Sequence, residues 1–181
     1  VNLFIQKDSA GVSVFFLNKH IEKILELCHE FLFRPAFHEY ELNNLQKKRL
    51  QSYLMNREKV QTLATDKYFE AVFGPVHHYG KQVFPADFGN VTPSMMKSFH
   101  KENYLNGKMK IIASGNIHKE SKEILNQYFG VHDFGSGKGN KKNIPITGSQ
   151  TKKVFIEKKG ALQSAIRIGS ATINKKHKDY N

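Results

Sequence analysis

Histidine and cysteine are the first residues to consider in this chain as metal ligands or nucleophiles. The sequence has nine histidines and one cysteine. A zinc peptidase motif places two imidazoles and a glutamate on one helical face, as H-E-x-x-H or in the inverted order H-x-x-E-H. Neither order occurs, since His29-Glu30 and His38-Glu39 each lack the second histidine. The sequence therefore predicts no metal ligand and no catalytic residue in this chain, and it identifies no substrate-binding residue.

A histidine pair and the single cysteine are the other candidates. His77 and His78 are adjacent in a predicted loop, residues 73–80, with no carboxylate at a usable spacing, so a packed or surface pair is favoured over a zinc site. Cys28 falls on the apolar face of a predicted helix. A buried small side chain is the favoured interpretation there, because a nucleophile would need a nearby base. A single cysteine also excludes an internal disulfide.

The elements that position these residues are a predicted hairpin followed by three predicted helices. Residues 1–17 predict two strands around a turn at residues 8–11, because Val1, Leu3 and Ile5 recur at alternate positions and residues 12–17 are rich in β-forming side chains. The first helix is predicted to begin with Asn18 as its N-cap and to end at Arg34-Pro35. The second is predicted to run from about Glu39 to Asn56-Arg57, and the third to end at Gly74-Pro75.

The second half of the sequence predicts shorter elements. Thr92-Pro93 is a strong helix start, with threonine as N-cap and proline at the first helical position. Residues 109–113 read as a strand and residues 119–129 as a helix. Two more strands are predicted at residues 154–156 and 165–169, beyond a stretch rich in glycine and lysine.

This composition predicts three parts: residues 1–130, a linker at residues 131–152, and residues 153–181. The last part is too short to bury a core alone, so it reads as the start of a second domain.

Charge is concentrated toward the C-terminal end. The net charge is +12, and from Lys138 to Lys178 the only acidic residue is Glu157. Such a surface could meet an acidic peptide, an anionic membrane or nucleic acid. Lysine predominates over arginine, which is less typical of nucleic-acid recognition. No apolar run has the length of a membrane span. We expect no nucleic-acid partner, no membrane span and a cytoplasmic location, with the periplasm as the alternative.

The order and spacing of several segments resemble one enzyme family. The segments are residues 19–27, 33–37, 39–42, 56–60 and 73–80, followed by residues 92–104, 111–117 and 163–169. Together they resemble the insulinase-like zinc metallopeptidases, also called pitrilysins or inverzincins. In that family a His-Pro-Tyr-Gly-like turn stands where this chain has His77-His78-Tyr79-Gly80.

The resemblance implies an α+β fold, a layered sandwich of a mixed or antiparallel sheet with packed helices. Residues 1–130 would be the C-terminal part of a first lobe, and residues 153–181 the first strands of a second, similar lobe. Family members enclose unfolded peptides between two halves, of which one carries zinc. The inverted zinc motif would then lie upstream of Val1, and the chain would pair with a homologous zinc-bearing subunit or half.

The resemblance also gives a test on the second predicted helix. In the catalytic half this helix supplies a glutamate as the third zinc ligand, and the family register puts that ligand near Gln51. No Asp or Glu occurs in residues 43–57. Zinc needs an anionic oxygen there, so we expect the zinc-less half, with no cofactor in this chain. The alternatives are a catalytic half whose ligand is Glu41 or Glu58, and a basic nucleic-acid-binding module.

Overall fold

A computed structural model describes residues 1–132, 145–147, 153–173 and 177–180 of the chain. The chain divides into two compact units. Unit 1 comprises residues 1–43 and 91–141, and unit 2 comprises residues 44–90 and 142–181. The predicted linker at residues 131–152 lies mostly outside the described residues.

Two strands and six α-helices make up the regular structure of the described residues. The strands are β1 (Asn2–Ile5) and β2 (Ala10–Ser13), and the helices are α1 (Ile21–Phe33), α2 (Glu39–Arg57), α3 (Val60–Phe73), α4 (Pro85–Gly89), α5 (Pro93–His100) and α6 (Lys119–Leu125). A 3-10 turn, Asn18–His20, precedes α1, and π-helical turns at Lys101–Leu105 and Asn126–Gly130 extend α5 and α6.

The hairpin of unit 1 confirms the prediction for the start of the chain. β1 and β2 pair in antiparallel register, with Asn2 opposite Ser13 and Ile5 opposite Ala10. The predicted α+β character is therefore present, although the sheet of the described residues has only these two strands.

The buried core of the described residues lies in unit 1. Leu25 and Cys28 on α1 pack with Phe129 from the π-helical turn after α6. Half-buried apolar side chains surround them: Val14, Ile21, Ile24, Leu32, Phe33, Met109, Ile124, Leu125 and Tyr128. Apolar residues recur every three or four positions along α1. Residues at that spacing share one helical face, so this face packs into the core.

Most predicted helix boundaries are confirmed. Thr92 caps α5, since its Oγ1 accepts a hydrogen bond from the Met95 backbone N–H at 3.3 Å, and Pro93 takes the first helical position. Gly74 ends α3 with φ of 86°, a left-handed conformation that glycine tolerates best.

The predicted cap of α1 is wrong. Asn18 opens the 3-10 turn, and its side-chain amide donates to the Asn116 carbonyl oxygen at 2.7 Å. The helix proper begins at Ile21, after His20. The Asn18 side chain thus bonds to a residue 98 positions away instead of capping the first turn of α1.

Three predicted strands are absent from the described residues. Residues 109–113, 154–156 and 165–169 have no strand pairing, and residues 14–17 do not extend β2. β-branched sequences form a strand only where another strand accepts their backbone hydrogen bonds. The apolar side chains of α2 are unevenly covered: Leu42 is buried, Leu50 and Tyr53 are half-buried, and Leu45 and Leu54 are exposed.

Candidate functional site

Two histidine–aromatic clusters, one in each unit, are the places where groups capable of chemistry come together. The first, which we call the α1 cluster, contains His29, Phe33, Phe129 and His132. The second, the loop cluster, contains Phe73, His77, His78 and Tyr79.

The α1 cluster joins the last turns of α1 to the end of the π-helical turn after α6. His29 Nε2 and His132 Nε2 lie 2.8 Å apart, so one imidazole donates a hydrogen bond to the other. The His132 ring stacks on Phe33, with centroids 3.8 Å apart and planes within 8°. Phe33 follows His29 by one helical turn, and the two rings lie 4.8 Å apart. The stacking therefore orients His132 toward His29.

The environment of His29 disfavours its protonated form. Burial lowers the pKa of His29, and His132 and Arg34 lower it further, while Glu30 acts in the opposite direction. An imidazole kept neutral retains one acceptor nitrogen, which the pair needs for its hydrogen bond.

The loop cluster is built from neighbours in sequence. His77 is buried and its ring stacks on Phe73, His78 and Tyr79. Its Nδ1 accepts a hydrogen bond from the Tyr79 backbone N–H at 3.2 Å, and its carbonyl oxygen accepts from Gly80 and Lys81, each at 2.8 Å. His77-His78 is therefore a packed pair, as the sequence favoured.

A histidine outside both clusters, His100, caps a helix end. Its Nε2 lies 2.7 Å from the Leu32 carbonyl oxygen, one of the last carbonyls of α1, which have no partner inside the helix. The His100 ring also packs against Phe37 and Tyr104.

Cys28 has the inert character that the sequence predicted. Its side chain is buried in the core of unit 1. Burial raises the pKa of its thiol, which reduces the thiolate available for attack or metal binding.

The candidate zinc-ligand positions on and beside α2 do not form a metal site with other described residues. Gln51 is exposed on the helix, and so is Glu41 in its first turn. Glu58, just beyond the helix, accepts a hydrogen bond from Lys158 Nζ at 2.8 Å. This bond and the lysine charge lower the pKa of Glu58. In the part of the chain that the structure describes, no three His, Cys, Asp or Glu side chains converge as metal ligands.

An open groove of about 430 Å³ lies in unit 1 beside α6. Alternate residues of the irregular segment before α6 line the groove, namely Met109, Ile111 and Ala113. The other lining residues come from α6 and the turn after it: Lys122, Leu125, Asn126, Phe129 and Gly130. The groove is thus mainly apolar with one cationic side chain. The sequence did not indicate it, because it depends on the placement of an unpaired segment against a helix.

Sequence reasoning singled out His77-His78 and missed the His29–His132 contact. The two residues of that contact are 103 positions apart, and neither stands in a recognisable motif. The only local signal is His29 and Phe33 at helical spacing, which is common on any amphipathic helix.

Comparison with known proteins gave no match to a family model, to a curated protein or to a solved structure. Among the described residues, no helix has both the length and the apolar character needed to cross a membrane.

Proposed function

We propose that this chain is part of the zinc-less half of an insulinase-like peptidase and binds unfolded peptide there. The proposal rests on one observation: α2 carries no carboxylate over residues 43–57. In the resemblance, this helix supplies the third zinc ligand from the position of Gln51. A neutral amide does not provide the anionic oxygen that zinc requires.

The positions of the nearby carboxylates favour this proposal over a catalytic half. Glu41 precedes Gln51 by ten residues, which is about 15 Å along a helix. Glu58 lies beyond the end of α2 and is already paired with Lys158. Neither glutamate substitutes for a ligand projecting from the middle of the helix.

Peptide binding is supported by the exposed apolar surface and by charge. Phe15, Ile112, Leu162 and Ile168 are each more than 90% exposed, so their apolar side chains are accessible to those of an unfolded peptide. The groove beside α6 is apolar with Lys122 at its side, and the net charge of +12 favours acidic segments.

The proposal extends to the sheet, the two lobes and the partner subunit that the resemblance implies. Residues 109–113, 154–156 and 165–169 would pair as strands in a complete layered sandwich, in which residues 1–130 and 153–181 belong to successive lobes. A homologous zinc-bearing subunit or half would supply the catalytic metal and close the chamber. The proposed location is the cytoplasm.

The experiment measures peptide binding, cleavage and zinc content on the same preparation. Fluorescence anisotropy would follow binding of a labelled unfolded acidic peptide, with a basic peptide of equal length as the control. Mass spectrometry would follow cleavage, and elemental analysis would measure zinc after dialysis. We expect preferential binding of the acidic peptide, no cleavage and no stoichiometric zinc. Cleavage should begin only when a zinc-bearing homologous subunit is added.

Three results would contradict the proposal. The first is chelator-sensitive cleavage by the chain alone, and the second is zinc that is retained in the wild type and lost in Gln51→Ala. The third is binding to DNA or RNA in preference to peptide, with the steep salt dependence of phosphate contacts. Equal binding of both peptides would remove the charge argument and leave only the apolar surface.

A further inference from the structure

The His29–His132 contact pairs α1 with the first described residues of the segment predicted from sequence to be a linker, residues 131–152. His29 is one turn from the end of α1, and His132 follows the π-helical turn that continues α6. The contact therefore holds the chain at the start of residues 131–152 against α1. Phe33 supports it by stacking on His132.

The number of protons on the two imidazoles decides whether this contact is attractive. With no added proton, one N–H donates to the other ring's lone pair. With one added proton, the imidazolium donates to the neutral ring, and such charge-assisted hydrogen bonds are stronger than neutral ones. With two added protons, both Nε2 atoms are donors and both rings carry positive charge. At 2.8 Å that state has no acceptor and is repulsive.

The groups around His29 favour its neutral imidazole over the protonated one. Arg34 on α1 adds positive charge beside His29, while Glu30 offsets part of it. The faces of the cluster formed by Phe33, Tyr128 and Phe129 are aromatic. Of these, Tyr128 is titratable, and burial together with Glu26 and Glu22 raises the pKa of its phenol, so it stays neutral at acidic and neutral pH. Within the part of the chain that the structure describes, Glu30 is thus the one negative charge that acts on the pKa of His29.

We propose that His29 and His132 form a proton-sensitive clasp, which holds residues 126–132 on α1 at neutral pH and releases them when both imidazoles are protonated. Release requires protons on both rings, because a single added proton preserves the hydrogen bond. Burial and the neighbouring positive charge lower the pKa of His29, so release occurs below the ordinary histidine pKa of about 6.5.

NMR titration of the histidine ring protons tests whether the two residues are coupled. In the wild type, we expect His29 to titrate below its ordinary range. In His132→Gln, the His29 pKa should rise, because the neighbouring imidazole no longer competes for protons. His118→Gln is the matched control, since His118 is an exposed histidine at the start of α6, and it should leave the titration of His29 unchanged.

Hydrogen exchange tests the release itself. Exchange of the amides of residues 126–132, corrected for intrinsic rates, should accelerate in the wild type as pH falls below about 6.5. The expected factor is about three- to tenfold, which is what one net hydrogen bond contributes. His29→Gln and His132→Gln should exchange faster already at neutral pH and lose the extra acceleration in acid, whereas His118→Gln should behave as wild type.

Either of two outcomes would overturn the clasp. One is a His29 titration that does not change in His132→Gln. The other is acid-dependent exchange that is the same in the wild type and in both glutamine variants. Circular dichroism of each variant checks that α1 is retained. If His29→Gln loses helix, the His132→Gln data alone decide, because that substitution leaves the α1 sequence unchanged.

Discussion

The α1 cluster and the loop cluster contain the same kinds of side chain and use them differently. Each has two histidines and aromatic rings. In the α1 cluster the two imidazole nitrogens face each other across 2.8 Å. In the loop cluster the rings of His77 and His78 stack with centroids 4.4 Å apart, and His77 Nδ1 accepts from the local backbone. Converging nitrogens make a pair that responds to protons, whereas stacked rings make a packed turn.

Distance along the chain explains this difference. Adjacent histidines share one backbone segment, so their rings pack side by side inside the turn that contains them. Residues brought together from separate elements can point their nitrogens at a common position, because each backbone is placed independently. Long-range histidine contacts are therefore better candidates for chemistry than the adjacent pair that sequence reading notices first.

The two units also differ in what stabilises them. The buried apolar side chains of the described residues, Leu25, Cys28, Leu42 and Phe129, all belong to unit 1. In unit 2, residues outside the helices attach to α3 and to the turn before it through polar contacts. Lys158 binds Glu58, and Arg167 Nε donates to Thr65 Oγ1 at 3.2 Å. Apolar burial contributes more to stability than exposed polar pairs do, so equivalent substitutions should have unequal effects in the two units.

The largest effect is expected from Phe129→Ala. Phe129 is 7% exposed and joins the core of unit 1 to the α1 cluster. Removing a buried phenylalanine leaves a cavity, so the free energy of unfolding should fall by about 3 kcal/mol or more. Urea denaturation followed by circular dichroism measures this change. Phe155→Ala in unit 2 is the control, because Phe155 is 85% exposed and the change should stay within about 0.5 kcal/mol. Equal losses in the two variants would show that the contrast between the units is wrong.

A smaller effect should separate the two histidines of the loop cluster. His77→Ala removes a buried ring and the acceptor for the Tyr79 N–H, at a cost of about 1–3 kcal/mol. His78 is exposed, so His78→Ala should change the free energy of unfolding by less than about 0.5 kcal/mol. The same denaturation experiment compares them. If His78→Ala were the more destabilising substitution, the packing described for this turn would be incorrect.

Sequence reasoning predicted local features well and long-range features poorly. The bounds of α2, the cap at Thr92 and the stop at Gly74 follow from side-chain chemistry within a few residues, and the structure has them. Asn18 was assigned a local cap, but its amide bonds to Asn116, which no local rule includes. The predicted strand at residues 109–113 has the right composition and lacks a pairing partner among the described residues. The His29–His132 contact depends on how α1 and α6 pack, which periodicity does not specify.

The smallest effect concerns the polar attachment of unit 2 and is best measured as a titration. Lys158 lowers the pKa of Glu58 through a hydrogen bond and its charge. A lowered carboxylate pKa stabilises the folded state above the unfolded value of about 4.3, and this contribution is lost as pH falls through the folded value. Carbon-detected NMR should therefore show the Glu58 pKa rising toward its ordinary value in Lys158→Met.

Added salt should produce part of the same rise in the wild type, because exposed charges are screened. Lys159→Met is the matched control, since it removes an equal charge from the next residue without removing the hydrogen bond. A shift of equal size in Lys159→Met would mean that the general positive field of this region, rather than the Lys158–Glu58 contact, sets the Glu58 pKa. The Lys158–Glu58 pair would then not be a specific polar contact of unit 2, and the contrast with the apolar packing of unit 1 would be lost.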